Sequence, residues 1–127
     1  MINLKNGNII INNAVTLSPL YNFDDFKLSF LYKNQIPNRF IYIKEPVFIE
    51  KIPFHLSMSF ETGKLTHVQL MIADDSISYE LEEKRLKIHD DILKQFNITK
   101  KNNYGWGYVD STYDPKGHCC HIHIFYH

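Results

Sequence analysis

Two neighbouring strands are predicted from alternating apolar and polar positions in the middle of the chain. The even positions of residues 54–60 and of residues 66–72 form two apolar rows. Both rows face one core only if an odd number of residues joins the strands, and a three-residue loop with Gly63 in the left-handed conformation provides this. The pattern therefore predicts an antiparallel hairpin with even positions paired to even positions.

A helical period replaces this alternation over residues 77–98. At about 100° per residue the apolar side chains of this segment gather on one side, which predicts one long helix packed on the sheet. Residues 74–76 supply candidate caps, and the helix should end near Asn97. Three polar residues fall within or beside the apolar arc, where a purely core-filling helix would not need them: Glu82, Arg85 and His89.

A closing hairpin is predicted over residues 104–113 and 118–127. The joining sequence, Asp114-Pro115-Lys116-Gly117, is typical of a type I turn followed by a left-handed glycine. That turn again gives an odd loop, so even positions should pair with even positions and form the core face. This core face would contain Trp106, Tyr108, Asp110, Thr112, Cys120, Ile122, Ile124 and Tyr126. The outer face would contain Gly105, Gly107, Val109, Ser111, Tyr113, Cys119, His121, His123, Phe125 and His127.

The first half of the chain has shorter predicted elements. Asn6-Gly7 should turn a small hairpin, a short helix is expected over residues 25–32 with Asn22 or Asp24 as its cap, and two strands are expected further on. The predicted class is α+β: an antiparallel sheet of about six strands built from hairpins, one long helix on one face and a short N-terminal helix. The hairpin strands are residues 2–5 and 9–11, the further strands are 40–44 and 47–51, and the whole chain, residues 1–127, is expected to be a single domain.

Charge excludes one class of function. Lysine plus arginine and aspartate plus glutamate both total 14, so no net basic field attracts nucleic acid. Only Arg39 and Arg85 are arginines, the residue that usually makes forked phosphate contacts. We therefore expect no nucleic-acid partner.

The expected compartment is the cytoplasm. No stretch approaches the roughly 20 apolar residues of a membrane span, and the first residues lack the charged start and apolar run of a signal peptide. The adjacent Cys119 and Cys120 should point to opposite faces of a strand, which argues against a disulfide and a stapled secreted fold. Neither a membrane nor a disulfide is expected.

The strand histidines are the first candidate for chemistry. Cys119, His121 and His123 share one face at two-residue spacing, and zinc takes such nitrogen and sulfur ligands. No second cluster such as CxxC or HExxH completes a site, so exposed sheet histidines are the leading interpretation. We expect no metal and no other cofactor.

The polar helix residues are the second candidate. Glu82, Arg85 and His89 facing Asp110 on the sheet would resemble a general-base arrangement. No nucleophile accompanies them in a recognisable motif. The preferred interpretation is structural, either an Arg85–Asp110 ion pair between helix and sheet or side-chain stems that snorkel past the core, and catalysis remains the alternative.

Acidic residues concentrate just before and within the start of the helix. Residues 74–83 contain five acids and no base. Acids at a helix N-terminus complement the helix dipole, which accounts for them without any partner. The other interpretation is a partner-facing acidic patch that includes Glu80 and Glu83.

The C-terminal half resembles a known class of proteins. Residues 54–127 contain SFETGKLTHVQL, KRLKIHDDIL and YGWGYVDSTYDPKG, followed by an alternating strand. This order of hairpin, helix and hairpin is similar to small immunity proteins of bacterial contact-dependent inhibition and other polymorphic toxin systems. The resemblance implies a non-enzymatic cytoplasmic protein that binds and neutralises one cognate toxin domain.

The leading hypothesis is therefore toxin binding by the outer face of the closing hairpin. The chain should be a monomer or a weak homodimer. The alternatives are a small metal-dependent or His/Asp-dependent enzyme and a module that oligomerises through a sheet edge. The predicted partner-binding residues are Tyr113, His121, His123, Phe125, Glu80 and Glu83.

Overall fold

A six-stranded antiparallel sheet and one long helix form most of the structure, a computed structural model that describes residues 1–37, 40–78, 81–117 and 119–127. The predicted α+β class is confirmed. The larger sheet has the order β3, β5, β6, β8, β7, with β4 also paired to β5, while β1 and β2 form a separate pair. The elements are β1 (Ile9–Ile11), β2 (Val15–Leu17), α1 (Phe23–Lys27), β3 (Ile41–Tyr42), β4 (Val47–Ile49), β5 (Ile52–Glu61), β6 (Lys64–Ile72), α2 (Glu82–Gln95), β7 (Gly107–Asp114) and β8 (Cys119–Tyr126).

The β5–β6 hairpin has the predicted pairing but a different turn. Leu56 pairs with Leu70, so even positions do oppose even positions. The loop has two residues, Thr62 and Gly63, both with positive φ, not the three that were predicted. An irregularity next to Phe60, which pairs with Leu65, inserts one extra residue into β6. With a two-residue loop alone, even positions would oppose odd positions. The bulge shifts the register by one residue and restores the pairing of even with even positions.

The register of the β7–β8 hairpin was predicted wrongly. Asp114 pairs with Cys119, so four residues form the loop and odd positions of β7 oppose even positions of β8. The side chain of Asp114 accepts a hydrogen bond from the Lys116 amide, which folds the turn within this longer loop. The even positions of β8 face the core as predicted. The reversed residues of β7 are Tyr108, Asp110 and Thr112, which join the outer face, and Val109, Ser111 and Tyr113, which leave it.

Helix α2 is shorter than the predicted 77–98. Asp74 accepts hydrogen bonds from the amide and hydroxyl of Ser76, which makes a separate turn before the helix instead of capping it. The helix ends where predicted, because Asn97 adopts a positive φ of 60°. The amide of Ile98 bonds back to the carbonyl of Leu93, as in a Schellman motif.

The N-terminal elements are also shorter than predicted. Ile2 makes only an isolated bridge to Ile9, and β1 pairs with β2 instead of with residues 2–5. Helix α1 begins at its predicted cap, Asn22, which forms a capping box with Asp25. It occupies Phe23–Lys27 instead of residues 25–32, and β3 and β4 are shortened forms of the strands expected over 40–44 and 47–51.

One face of the large sheet carries the core. Tyr126 of β8 donates its hydroxyl hydrogen bond to the carbonyl of Gly7, and Cys120 of the same strand face contacts the carbonyl of Glu82. The N-terminal segment and α2 therefore cover the same face. Within the described residues, neither helix is long and apolar enough to cross a membrane.

Trp106 fastens the N-terminal segment to this core. Its indole nitrogen donates to the carbonyl of Leu4 at 3.0 Å, and its ring lies directly over Gly7. A Cβ atom on Gly7, whose φ is +77°, would meet the indole ring at 2.6 Å. Glycine is needed there both for its backbone conformation and for the close approach of the ring.

We expect Gly7→Ala to destabilise the fold much more than Gly105→Ala. Gly105 has a similar φ of +87° but nothing within 4 Å of an added Cβ, so it shares the backbone strain without the clash. Strain alone costs about 1 kcal/mol, and overpacking against Trp106 adds roughly 2 kcal/mol. Urea unfolding of the two variants measures the difference, and equal losses would contradict the contact.

Candidate functional site

The face of the sheet opposite the core is the candidate functional surface. Imidazole and aromatic rings from five strands lie on it, most of them partly exposed. We call it the histidine face. Across the pairing of β3, β5, β6, β8 and β7 it comprises Tyr42, His55, Ser57, Ser59, His67, Gln69, Met71, Tyr108, Asp110, Thr112, His121, His123 and Phe125.

A hydrogen bond between two histidines lies at the centre of the histidine face. His67 of β6 and His123 of β8 bring Nε2 and Nδ1 to 2.9 Å. The His67 ring stacks on Phe125, with 4.2 Å between centroids, and Phe40 meets it edge-on. Phe125 also stacks on Tyr108 at 4.8 Å, so the rings form one continuous layer across three strands.

The electrostatics of this layer favour neutral imidazoles. Burial, followed by the charges of His123 and His121, lowers the pKa of His67 to about 4. Burial also lowers the pKa values of His121 and His123, and only the Asp110 carboxylate beside His123 acts in the opposite direction on that ring. At neutral pH these three rings therefore carry no charge, and each offers one nitrogen donor and one acceptor.

The structure brings together only some of the predicted contact residues. His121, His123 and Phe125 share the histidine face. Tyr113 does not, because the corrected register pairs it with Cys120. Glu83 is exposed in the first turn of α2, away from the sheet strands, and Glu80 lies outside the described residues.

His67 and Tyr108 are the contributors that the sequence interpretation missed. His67 occupies an odd position of β6, so the predicted hairpin already placed it on the face opposite the apolar row. Only its neighbour across the β6–β8 pairing was unknown, and that pairing sets His67 against Phe125. Tyr108 was missed because the loop length of the last hairpin was misjudged.

The metal candidates do not form a cluster. Cys119, His121 and His123 follow one strand face, but in the described part of the chain no group of three or more His, Cys, Asp or Glu side chains is placed to hold a metal ion. Burial raises the pKa of the Cys119 thiol, so the thiolate form that binds metals is disfavoured at neutral pH. Neither cysteine is in a disulfide.

The polar residues of α2 do form a buried cluster, with partners other than the predicted one. Glu82, Arg85 and His89 are 5%, 7% and 0% exposed. Arg85 pairs with Glu82 at 3.3 Å and donates to the carbonyls of Ile72 and Ile77. The expected Arg85–Asp110 pair was wrong, because the register places Asp110 on the histidine face opposite His123.

This cluster lies where β6 and β8 stop pairing with each other. The β6–β8 pairing ends at Leu70 and Ile122, so Ile72 at the end of β6 has no strand partner on that side. The amide of Ile72 donates to Nε2 of His89, and its carbonyl accepts from Arg85. Helix side chains thus supply the two hydrogen bonds that a continuing strand would have made, as buried backbone groups require.

The acceptor role of His89 fixes its protonation state. Because Nε2 accepts the Ile72 amide, the ring proton of the neutral form sits on Nδ1. Burial, with a smaller contribution from the Arg85 charge, lowers the pKa of His89 to about 4. His89 and Asp110 belong to different faces and do not form the general-base arrangement considered from the sequence.

Both sides of the large sheet have blunted edges. The carbonyls of Gly107 and Val109 on β7 accept from the amides of Tyr104 and Lys101, and Asp110 accepts from the next outward amide, that of Ser111. On the other side β5 is covered by the short β3 and β4. Such edges leave little backbone for strand addition by a second chain.

Surface depressions lie away from the histidines. Five of them, from about 280 to about 550 Å³, are lined by residues 1–51 and 90–100, and none of the five has a histidine in its wall. The most apolar one, about 550 Å³, lies beside Phe30, Tyr42 and Val47. The histidines therefore belong to a broad sheet face and not to these depressions.

Comparisons with known proteins found no matching family model, no matching curated protein and no matching solved structure.

Arg85→Met should destabilise the protein by roughly 3 kcal/mol, because it leaves the buried Glu82 carboxylate without its cation and removes a donor from the carbonyls of Ile72 and Ile77. Lys84→Met is the matched control, since Lys84 is exposed on the same turn of α2. It should change the free energy of unfolding by less than about 0.5 kcal/mol. Guanidinium unfolding at neutral pH measures both, and a small loss for Arg85→Met would contradict the role of the cluster.

His89 should make stability depend on pH. Its folded pKa of about 4 lies below the ordinary 6.5, so the unfolded chain binds the proton more readily, and stability falls as the pH drops through this range. The loss attributable to this ring is on the order of 3 kcal/mol near pH 4.

In His89→Gln the amide oxygen can still accept from Ile72 but does not titrate. Unfolding curves of the wild type and this variant, measured from about pH 7 to about pH 4, isolate the contribution of His89, because the other histidines are common to both. We expect the variant to lose less stability on acidification. Parallel pH profiles would show that His89 is not the group responsible.

Proposed function

We propose that this chain is a non-enzymatic immunity protein that binds and neutralises a cognate bacterial toxin domain in the cytoplasm, and that the histidine face is its contact surface. The observation that carries the proposal is the continuous layer of partly exposed imidazole and aromatic rings on the side of the sheet opposite the core. The resemblance of residues 54–127 to immunity proteins supports the same function. No part of this proposal requires a cofactor or a catalytic group.

The composition of the histidine face suits a protein partner. Aromatic side chains are enriched at protein interfaces, and charged residues are depleted at interface centres. Phe125, Tyr108 and the neutral imidazoles match that description, and Asp110 is the one carboxylate in the central part of the face. Burying this surface would therefore remove little charge from water.

The rigidity of the histidine face also favours tight binding. Its rings are held by strand pairing below and by ring stacking at the sides, as in the His67–Phe125 contact. Side chains that are already ordered lose less conformational entropy when a partner binds. Each neutral imidazole keeps a polar nitrogen that can donate to or accept from the partner, which adds specificity.

The neighbouring gene gives the first test. A toxin domain encoded next to this chain should co-purify with it and lose its toxicity when the two are expressed together. Thr112 is exposed on the histidine face, so Thr112→Arg should weaken the complex at least about tenfold, or roughly 1.4 kcal/mol, through bulk and charge. Calorimetry with the purified toxin domain measures the affinity.

Glu83→Arg is the matched control for the acidic surface of α2. Glu83 is exposed in the first turn of that helix and belongs to the other surface considered from the sequence. We expect this variant to bind like the wild type. The opposite result, loss with Glu83→Arg and none with Thr112→Arg, would move the interface to the helix, and a gene neighbourhood without a toxin would reject the function itself.

A further inference from the structure

The His67–His123 contact can hold only one proton between its two nitrogens. With Nε2 and Nδ1 2.9 Å apart, one ring must donate and the other accept. A first added proton can settle on an outer nitrogen and leave this bond intact. A second would put hydrogens on both facing nitrogens, and the rings would then have to separate.

We propose that the His67–His123 hydrogen bond is a proton-controlled switch for the histidine face, closed at neutral pH and opened by acid, so that acid releases the bound partner. The release of a partner rests on the proposed function, because it assumes that the toxin domain occupies this face. The opening of the hydrogen bond does not depend on any partner. The two parts can therefore be tested separately.

The surroundings of the pair favour a sharp change. His67 is clamped between Phe125 and Phe40, so separating the two histidines must also disturb the ring layer. His121 lies beside His123, with 5.7 Å between ring centroids, and would become a third positive charge in the same area. Repulsion among these rings grows with each proton that the histidine face accepts.

Other charged and titratable groups surround the pair on several elements. Asp110 favours the charged form of His123. It belongs to β7 and pairs directly with His123 of β8. Arg85 opposes protonation of His121 and Glu82 favours it, both acting from α2. Among the residues that the structure describes, the remaining titratable side chains of the face or next to it are Tyr42 on β3, His55 on β5, Tyr108 and Asp114 on β7, Cys119 and His127 around β8, and His89 on α2.

The direction of the pH effect follows from burial. Burial lowers the pKa values of His67, His121 and His123, that of His67 to about 4, so the neutral form is favoured in the folded protein. These three rings are uncharged at neutral pH and gain positive charge as the pH falls. Partner binding that needs the uncharged face becomes weaker over the same interval.

The first experiment uses the full chain alone. Proton and nitrogen NMR of the histidine rings, from about pH 8 to about pH 4, should show His67 and His123 titrating as a coupled pair below the ordinary histidine range. In His67→Gln, which keeps a donor to His123 but removes one titrating site, His123 should titrate in a single step. Independent titration of both rings near the ordinary value, unchanged by the substitution, would overturn the switch.

The second experiment adds the toxin domain. Wild-type affinity should fall about tenfold per pH unit for each proton that binding excludes, once the pH is below the relevant pKa, whereas His67→Gln should show a clearly smaller fall. Equal falls in the two proteins would overturn the release of the partner by this pair. A toxin domain that does not bind the histidine face at any pH would reject this face as the contact surface. The NMR titration would still decide whether the hydrogen bond opens in acid.

Discussion

The structure depends on the need to satisfy the buried backbone amide and carbonyl of one residue, Ile72. The pairing of β6 with β8 ends just before this residue. A buried amide and carbonyl that lack partners cost several kcal/mol between them. Arg85 and His89 provide the missing donor and acceptor, so α2 is held at a defined place on the sheet by hydrogen bonds as well as by apolar packing. The polar interruption of its apolar stripe is thus what positions the helix.

That positioning separates the two faces of the sheet by role. With α2 and the N-terminal segment both on the core face, the histidine face has no described helix over it. Its rings pack against each other instead, and His67 bonds to His123 because the β6–β8 register brings them together. The same register that builds the core therefore builds the candidate contact surface.

Much of the fold could be predicted from the sequence, and the failures have specific physical causes. The core-facing positions of β5, β6 and β8 followed from their alternating apolar residues. The helical period of α2 showed that Glu82, Arg85 and His89 lie on or beside its apolar side. The faces of β7 were predicted wrongly because a turn sequence does not by itself distinguish a three-residue loop from a four-residue one. A difference of one residue in the loop moves every side chain of the strand to the opposite face. Two of the partners of Arg85 are backbone carbonyls, which leave no trace in a sequence pattern.

The position of β8 in the sheet has a consequence for how the protein forms. This strand, residues 119–126, lies between β6 and β7, although it follows both in the chain. During synthesis, the edge of this apolar strand β6 stays unpaired until almost fifty later residues have been made. Pairing between strands so far apart in the chain is slow. Nascent chains of this protein are therefore vulnerable to edge-to-edge association, and a chaperone that shields β6 would improve the yield of folded protein more than one that shields α2.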